Sequence, residues 1–463
     1  MPVRRIGAAL RAKFQSLKRT DAIRSVGVLV GGTAFAQALA FLALPVITRL
    51  YTPSDFNVLA IFSSILSIIS VIACMRLEIS IPMPEGDEDA VNLLALALCA
   101  CSAISALTGI TVWLFPDSIV KLVDLPALKD YLWLLPFGVW LASAYAAMQF
   151  WTTRKKRFGI IAGTRMTQAV SGVGVQLGFG INGVAPLGLL LGQIANNGAG
   201  LYGLVRAMLK KDRGVFESIS WRNMRRMLRK YDRFLKYSTF EALANTAAIQ
   251  MPIIIIGALA IGPEAGYLML AMRAMTVPLG LIGSAVSQVY LSRASEESRI
   301  GRLVPFTLEN LKGLVRSGVG PLIFAGLVAP ILFPLMFGTK WQRAGELVAW
   351  MTPWFVMQFL TSPISMALHI TNNQRVALAI QLFGLILRVG AVCVAGWAMP
   401  MYVAEVYAIS GFVFYLLYLL VIFVVLEIKA KEVLKLAHNS RVALVLWVVA
   451  GVAIVSIFRA QGF

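Results

Sequence analysis

The chain has 463 residues, of which 59% are hydrophobic and only 14% charged, with a formal charge of +20 and a mean hydropathy of +0.78. Such a composition excludes an ordinary soluble globular domain. A dozen apolar runs of spanning length exclude a soluble nucleic-acid binder, so the positive charge calls for a topological explanation.

In chain order, apolar runs of about twenty residues fall at 26–48, 56–81, 91–115, 131–151, 160–182, 184–205, 237–260, 266–290, 315–337, 347–370, 376–398 and 403–426, and a shorter run, 442–458, is a candidate thirteenth span. Ala38 and Ala40 form an A-x-A pattern, but the apolar run continues to Ile47, which reads as a retained signal anchor. With the N-terminus in the cytoplasm, segments 1–25, 82–90, 152–165, 206–236, 291–316, 371–375 and 427–441 hold 33 of the 42 basic residues. That is the positive-inside pattern, and it accounts for the excess charge without an acidic macromolecule as partner.

The expected fold is all-α and polytopic. A basic amphipathic arm (1–25) leads into an N-lobe of six spans (26–207). A basic amphipathic linker (208–236) joins it to a C-lobe of six spans (237–427), and 428–463 supplies a connection and the candidate extra span. Six and six with the same orientation suggest duplication about a pseudo-two-fold axis along the membrane normal, with a central cavity between the lobes. Gln37 ahead of Pro45 and Asn245 ahead of Pro252 occupy similar places in the first span of each half. In 219–236, Trp221, Met224, Leu228, Tyr231 and Leu235 form a stripe among arginines, expected to lie on the anionic inner leaflet.

Little in the chain suits catalysis. The longest outer connection is about fifteen residues, 116–130, and no metal-ligand spacing, carboxylate pair or phosphate-cradling loop stands on a suitable scaffold. Cys74, Cys99, Cys101 and Cys393 lie within apolar runs and read as small core residues, and Gly172, Gly174 and Gly178 read as helix packing. Intramembrane ionisable residues stand out, because an arginine at a helix centre costs roughly 2.5 to 3.5 kcal/mol on insertion scales and normally faces a cavity or partner. Arg388, Arg273 and Arg76 are those candidates. A guanidinium fork fits phosphate oxygens bidentately, so arginines without matching acids suit an anionic cargo. Arg76 and Glu78, two apart in an expected helix, point to different sides and are not expected to pair. Glu241 and Glu78 are candidate proton or sodium carriers, with a structural ion pair of Glu241 to Lys236 as the competing reading. Amides including Gln37, Gln149, Gln168, Gln176, Gln193, Asn196, Asn245, Gln250, Gln288 and Gln358 are numerous enough to line a sugar-accepting path, although singly each serves equally as a tie between helices.

Several segments together resemble the bacterial oligosaccharide flippases of the Wzx type, in the multidrug/oligosaccharidyl-lipid/polysaccharide exporter superfamily. They are Leu50-Tyr51-Thr52-Pro53-Ser54-Asp55-Phe56, Arg76-Leu77-Glu78-Ile79-Ser80-Ile81-Pro82, Gly283 to Val289 with Arg293-Ala294-Ser295-Glu296, Phe337-Gly338-Thr339-Lys340-Trp341-Gln342-Arg343-Ala344-Gly345, Pro353-Trp354, Ser362-Pro363-Ile364-Ser365 and Asn373-Gln374-Arg375. Leu77, where an aromatic is usual, and Asn57, where glycine commonly follows Asp-Phe, depart from the pattern. The resemblance implies translocation of an undecaprenyl-diphosphate-linked oligosaccharide to the outer leaflet of the bacterial cytoplasmic membrane by alternating access. It further implies a cationic cavity, frequent coupling to a proton or sodium gradient, no cofactor, and a downstream polymerase as a possible partner. The rival readings are an ion-coupled multidrug exporter, which would place carboxylates in its core helices, and a membrane glycosyltransferase, polymerase or ligase, against which the short outer loops argue.

Overall fold

The computed structural model describes residues 27–28, 31–232, 234–371 and 373–460, and among them every regular element is helical. The basic arm 1–25 lies outside the described residues. All twelve expected spans are helices. The first half contains α1 (Gly31–Leu50), α2 (Pro53–Ala73), α3 (Asp87–Leu114), the short α4 (Pro116–Val123), α5 (Leu134–Arg154), α6 (Phe158–Ile181), α7 (Leu187–Gly198) and α8 (Leu201–Lys211). After the linker helix α9 (Trp221–Lys230) come α10 (Thr239–Leu259), α11 (Glu264–Arg299), α12 (Leu303–Leu314), α13 (Gly320–Phe337), α14 (Gln342–Thr361), α15 (Ala367–Ile370), α16 (Gln374–Ala398), α17 (Val403–Val425) and α18 (Ala430–Ala460). Seven helical stretches among the described residues are long and apolar enough to cross a membrane. The interleaved α5, α6, α11 and α14 are as long but more polar, and three of them contribute to the cavity described below.

Local chemistry sets several boundaries. Thr52 caps α2 in a reciprocal box: its hydroxyl accepts from the Asp55 amide, and the Asp55 carboxylate accepts from the Thr52 amide at 2.7 Å, with Pro53 in the first turn. The expected span 56–81 ends early, at Ala73. Met75 and Arg76 take left-handed backbone (φ 52° and 57°), and a 3-10 turn follows over Leu77–Ser80. This reversal brings Arg76 and Glu78 to 3.6 Å, correcting the expectation, based on a continuous helix, that they would stay apart. The sixth expected span is broken at Ala199-Gly200, between α7 and α8. The eighth and ninth overrun their expected basic ends, because α11 continues to Arg299 and α12 runs through a π-turn, Val315–Val319, into α13. α18 packs on α13, with the Trp447 ring 5.5 Å from that of Phe324.

In the first half α2, α3, α5, α6 and α7 pack against one another. In the second, α10, α11, α13, α14, α16 and α17 do so, and α2 meets α10 and α11 across the seam. Cys74 and Cys101 are buried as expected for core residues, whereas Cys99 and Cys393 are exposed. The linker helix α9 packs partly on protein. Met224 and Met227 are buried and α9 packs on α3, fixed by Arg226 to Asp89 at 2.7 Å, while Trp221 is exposed. Its apolar stripe is therefore divided, the methionines covering protein and Trp221 with the arginines facing outward.

The basic connections of the first half are stapled by ion pairs. Asp87 meets Arg154 and Lys155, and Asp212 takes a bidentate fork from Arg157 (2.7 and 2.7 Å) and the Trp151 indole N–H at 3.1 Å. Burial pushes the Asp212 carboxyl upward, but the hydrogen bonds from Arg157 and Trp151 and the charges of Arg157 and Lys155 hold it below its ordinary value. A lowered native value contributes stability above the unfolded value near about pH 4 that is lost as pH falls through the native one. Asp212→Ala leaves Arg157 unpaired and is expected to cost about 3 kcal/mol at neutral pH. Thermal unfolding of the purified protein should show a lowered midpoint at pH 7 and a deficit that shrinks below about pH 4.

Candidate functional site: an arginine-bearing cavity between the halves

Two chambers meet at the seam. The first, about 280 Å³, is lined by Gln37 and Phe41 of α1, Gly172 and Gln176 of α6, Gln193 and Asn196 of α7, and Arg273 and Thr276 of α11, among others. The second, about 340 Å³, is lined by Ile249 of α10, Thr276 and Gly280 of α11, Trp354, Phe355 and Gln358 of α14, Arg388 of α16 and Tyr415 of α17. Thr276 lines both, and a Cβ on Gly280 would stand 3.8 Å from the Gln37 amide, so the chambers adjoin along α11. Among the described residues, no aspartate or glutamate lines either one.

Each chamber holds one arginine with no described carboxylate in ion-pair range. Arg273 donates from Nη2 to Gln193 Oε1 at 2.9 Å, reaching from α11 to α7 across the seam. Arg388 is only 4% exposed; its Nε donates to the Gly384 carbonyl one turn back at 3.1 Å, and its guanidinium lies 4.5 Å from the Phe414 ring centre. Gly384 makes that seat available, since a Cβ there would come within 2.2 Å of the Phe414 ring. Trp354 Nε1 and Tyr407 OH are buried without an acceptor among the described residues. The Arg388 neighbourhood is thus rich in donors and poor in acceptors, which is a setting for an anion.

The other candidates lie elsewhere. Arg76 and Glu78 pair beyond the end of α2, where Glu78 is buried and its Oε2 lacks a hydrogen-bond partner among the described residues. Asn245 and Glu241 are exposed on α10, and Lys236 pairs with Asp232 at 2.6 Å. Among the amides, Gln37, Gln176, Gln193 and Asn196 share the first chamber and Gln358 lines the second. Gln168 and Gln250 tie helices together, to Asn197 O at 2.8 Å and Ser64 Oγ at 2.9 Å.

At the end away from the basic connections, the seam is closed by the turn 338–341. Lys340 Nζ donates to the Tyr51 carbonyl at 2.6 Å and Trp341 Nε1 to the Thr48 carbonyl at 2.9 Å. The fully buried Trp341 ring sits edge-on to Phe56 (4.8 Å) and Tyr267 (6.0 Å). Gly338 allows the turn, at φ 101° and ψ 155°, a region reserved for glycine. Beside it Arg343 staples three helix starts, taking Glu264 at 3.0 Å and Glu405 at 2.6 Å. Lys340, Trp341 and Arg343 lie in a segment that carries the family resemblance, but nothing local in the sequence indicates that this segment binds the turn between α1 and α2.

The apolar helices and the arginine-bearing chambers between them define a polytopic α-helical membrane protein. Among solved structures, the chain is similar to the lipid II flippase MurJ in an inward closed conformation (TM-score 0.72, 15% identity, 94% of this chain and 98% of that one). It is also similar to a MOP superfamily transporter from Pyrococcus furiosus (TM-score 0.58, 16% identity, 87% and 95%) and to an inward-facing multidrug resistance MATE family transporter (TM-score 0.54, 14% identity, 85% and 96%). No curated protein matches the sequence. The family model described as polysaccharide biosynthesis protein matches residues 46–346, and the chain belongs to that family.

Proposed function

We propose that the protein carries an undecaprenyl-diphosphate-linked oligosaccharide from the cytoplasmic to the outer leaflet of the bacterial inner membrane. The observation that carries this reading is the pair of arginines, Arg273 and Arg388, facing two adjoining interlobe chambers with no carboxylate among their described lining residues, in a chain of the polysaccharide biosynthesis family. A cationic drug would gain nothing there, which disfavours the multidrug exporter reading; a diphosphate gains charge-assisted, fork-matched hydrogen bonds. Gln37, Gln176 and Asn196 of the first chamber supply donors and acceptors for sugar hydroxyls. Assigning the basic connections to the cytoplasm leaves the Trp341 closure on the outer side. The two halves, residues 26–207 and 237–427, then act as the rocking units. Coupling to a proton or sodium gradient through Glu78 or Glu241 belongs to the same proposal.

Cells lacking the protein should accumulate one diphosphate-linked oligosaccharide, identified by mass spectrometry of their lipids and protected from modification at the outer surface. Absence of any such lipid would contradict the assignment.

A further inference from the structure

Arg273 has a single described hydrogen-bond partner, the neutral Gln193, and that bond crosses the seam from α11 to α7. Arg273 is half-buried within a membrane-embedded helix, where a guanidinium gains from a fixed acceptor. A carboxylate at this place would satisfy it most strongly but would then compete with an incoming phosphate. An uncharged amide accepts from the guanidinium but lacks the ion-pair attraction that a carboxylate or a phosphate adds. Gln193 is itself steadied only lightly, its Nε2 standing 3.4 Å from Asn197 Oδ1.

We infer that Gln193 is a neutral place-holder for the cargo's diphosphate: it keeps Arg273 aimed into the chamber, ties the halves together while the chamber is empty, and gives way when a phosphate oxygen takes over the Nη2 proton. Cargo binding then removes an interlobe bond, which links occupancy to the freedom of the halves to move. Gln193 is a positioning residue, and its role rests on the diphosphate reading above.

The test is equilibrium binding of undecaprenyl diphosphate, with undecaprenol as the neutral control, to the full-length protein in nanodiscs. Gln193→Glu keeps shape and pairs with Arg273, so it should fold, as thermal unfolding will verify, yet it should weaken diphosphate binding at least tenfold. Gln193→Met removes the acceptor without adding a competitor and should stay within threefold of the parent. Arg273→Ala should lose at least tenfold. Weakening of less than tenfold by Gln193→Glu, or a loss beyond threefold by Gln193→Met, would overturn the place-holder role. If the parent protein fails to prefer undecaprenyl diphosphate over undecaprenol, the diphosphate reading falls, and this role with it. A parent that does prefer it, with an unaffected Gln193→Glu variant, removes the place-holder alone.

Discussion

Replacing Arg388 with alanine should lower transport on the order of a hundredfold while leaving the protein in the membrane at its normal level. Losing one partner of a buried charge-assisted contact costs about 2–5 kcal/mol of binding, and each 1.4 kcal/mol is about tenfold. The protein itself should tolerate the change, because no described carboxylate is orphaned by it and a costly intramembrane charge is removed. Lysine should restore only part of the activity. It keeps the charge but has neither the Nε donor that bonds the Gly384 carbonyl nor the flat fork that lies over Phe414. Export assayed beside membrane abundance separates these outcomes, and full activity in the alanine variant would remove Arg388 from the mechanism.

The second large effect is expected at the opposite end of the cavity. Trp341→Ala deletes a fully buried ring between Phe56 and Tyr267 together with its hydrogen bond to Thr48. Emptying such a site costs about 3–5 kcal/mol. Here that cost falls on the state in which the turn 338–341 meets the α1 to α2 turn, so the balance should shift toward outer opening by a factor on the order of a hundred or more. Spin labels at Ser54 and Thr339, in protein whose four native cysteines are replaced, should report longer and broader distances in the Trp341→Ala variant. Trp341→Phe, which preserves the ring contacts and loses the N–H, should fall between. An unchanged distance distribution would show that this contact does not hold the outer side closed.

Helix positions were legible in the sequence because lipid forces long apolar runs, and Arg273, Arg388 and Gln37 were legible because charges and amides are costly within them. Which face a residue presents was not. Asn245 occupies the place in its half that Gln37 occupies in the first, yet Gln37 lines the chamber and Asn245 is exposed. Helix rotation about its own axis is fixed by neighbours and leaves no trace in spacing. Arg76 was misplaced for another reason, the left-handed step at Met75 and Arg76 that ends α2 within an otherwise apolar stretch. Contacts between distant segments were also hidden: Gln193 meets Arg273 and Trp341 meets Thr48 only after both halves have folded.

Purified protein in liposomes, given a fluorescent undecaprenyl-diphosphate-linked sugar in one leaflet and a membrane-impermeant quencher outside, provides the most direct measurement. The cationic-cavity account requires protein-dependent movement of that lipid between leaflets, lost with Arg388→Ala, and little movement of an undecaprenol-linked sugar lacking the diphosphate. Equal movement of the charged and uncharged lipids, or none of either, would contradict it.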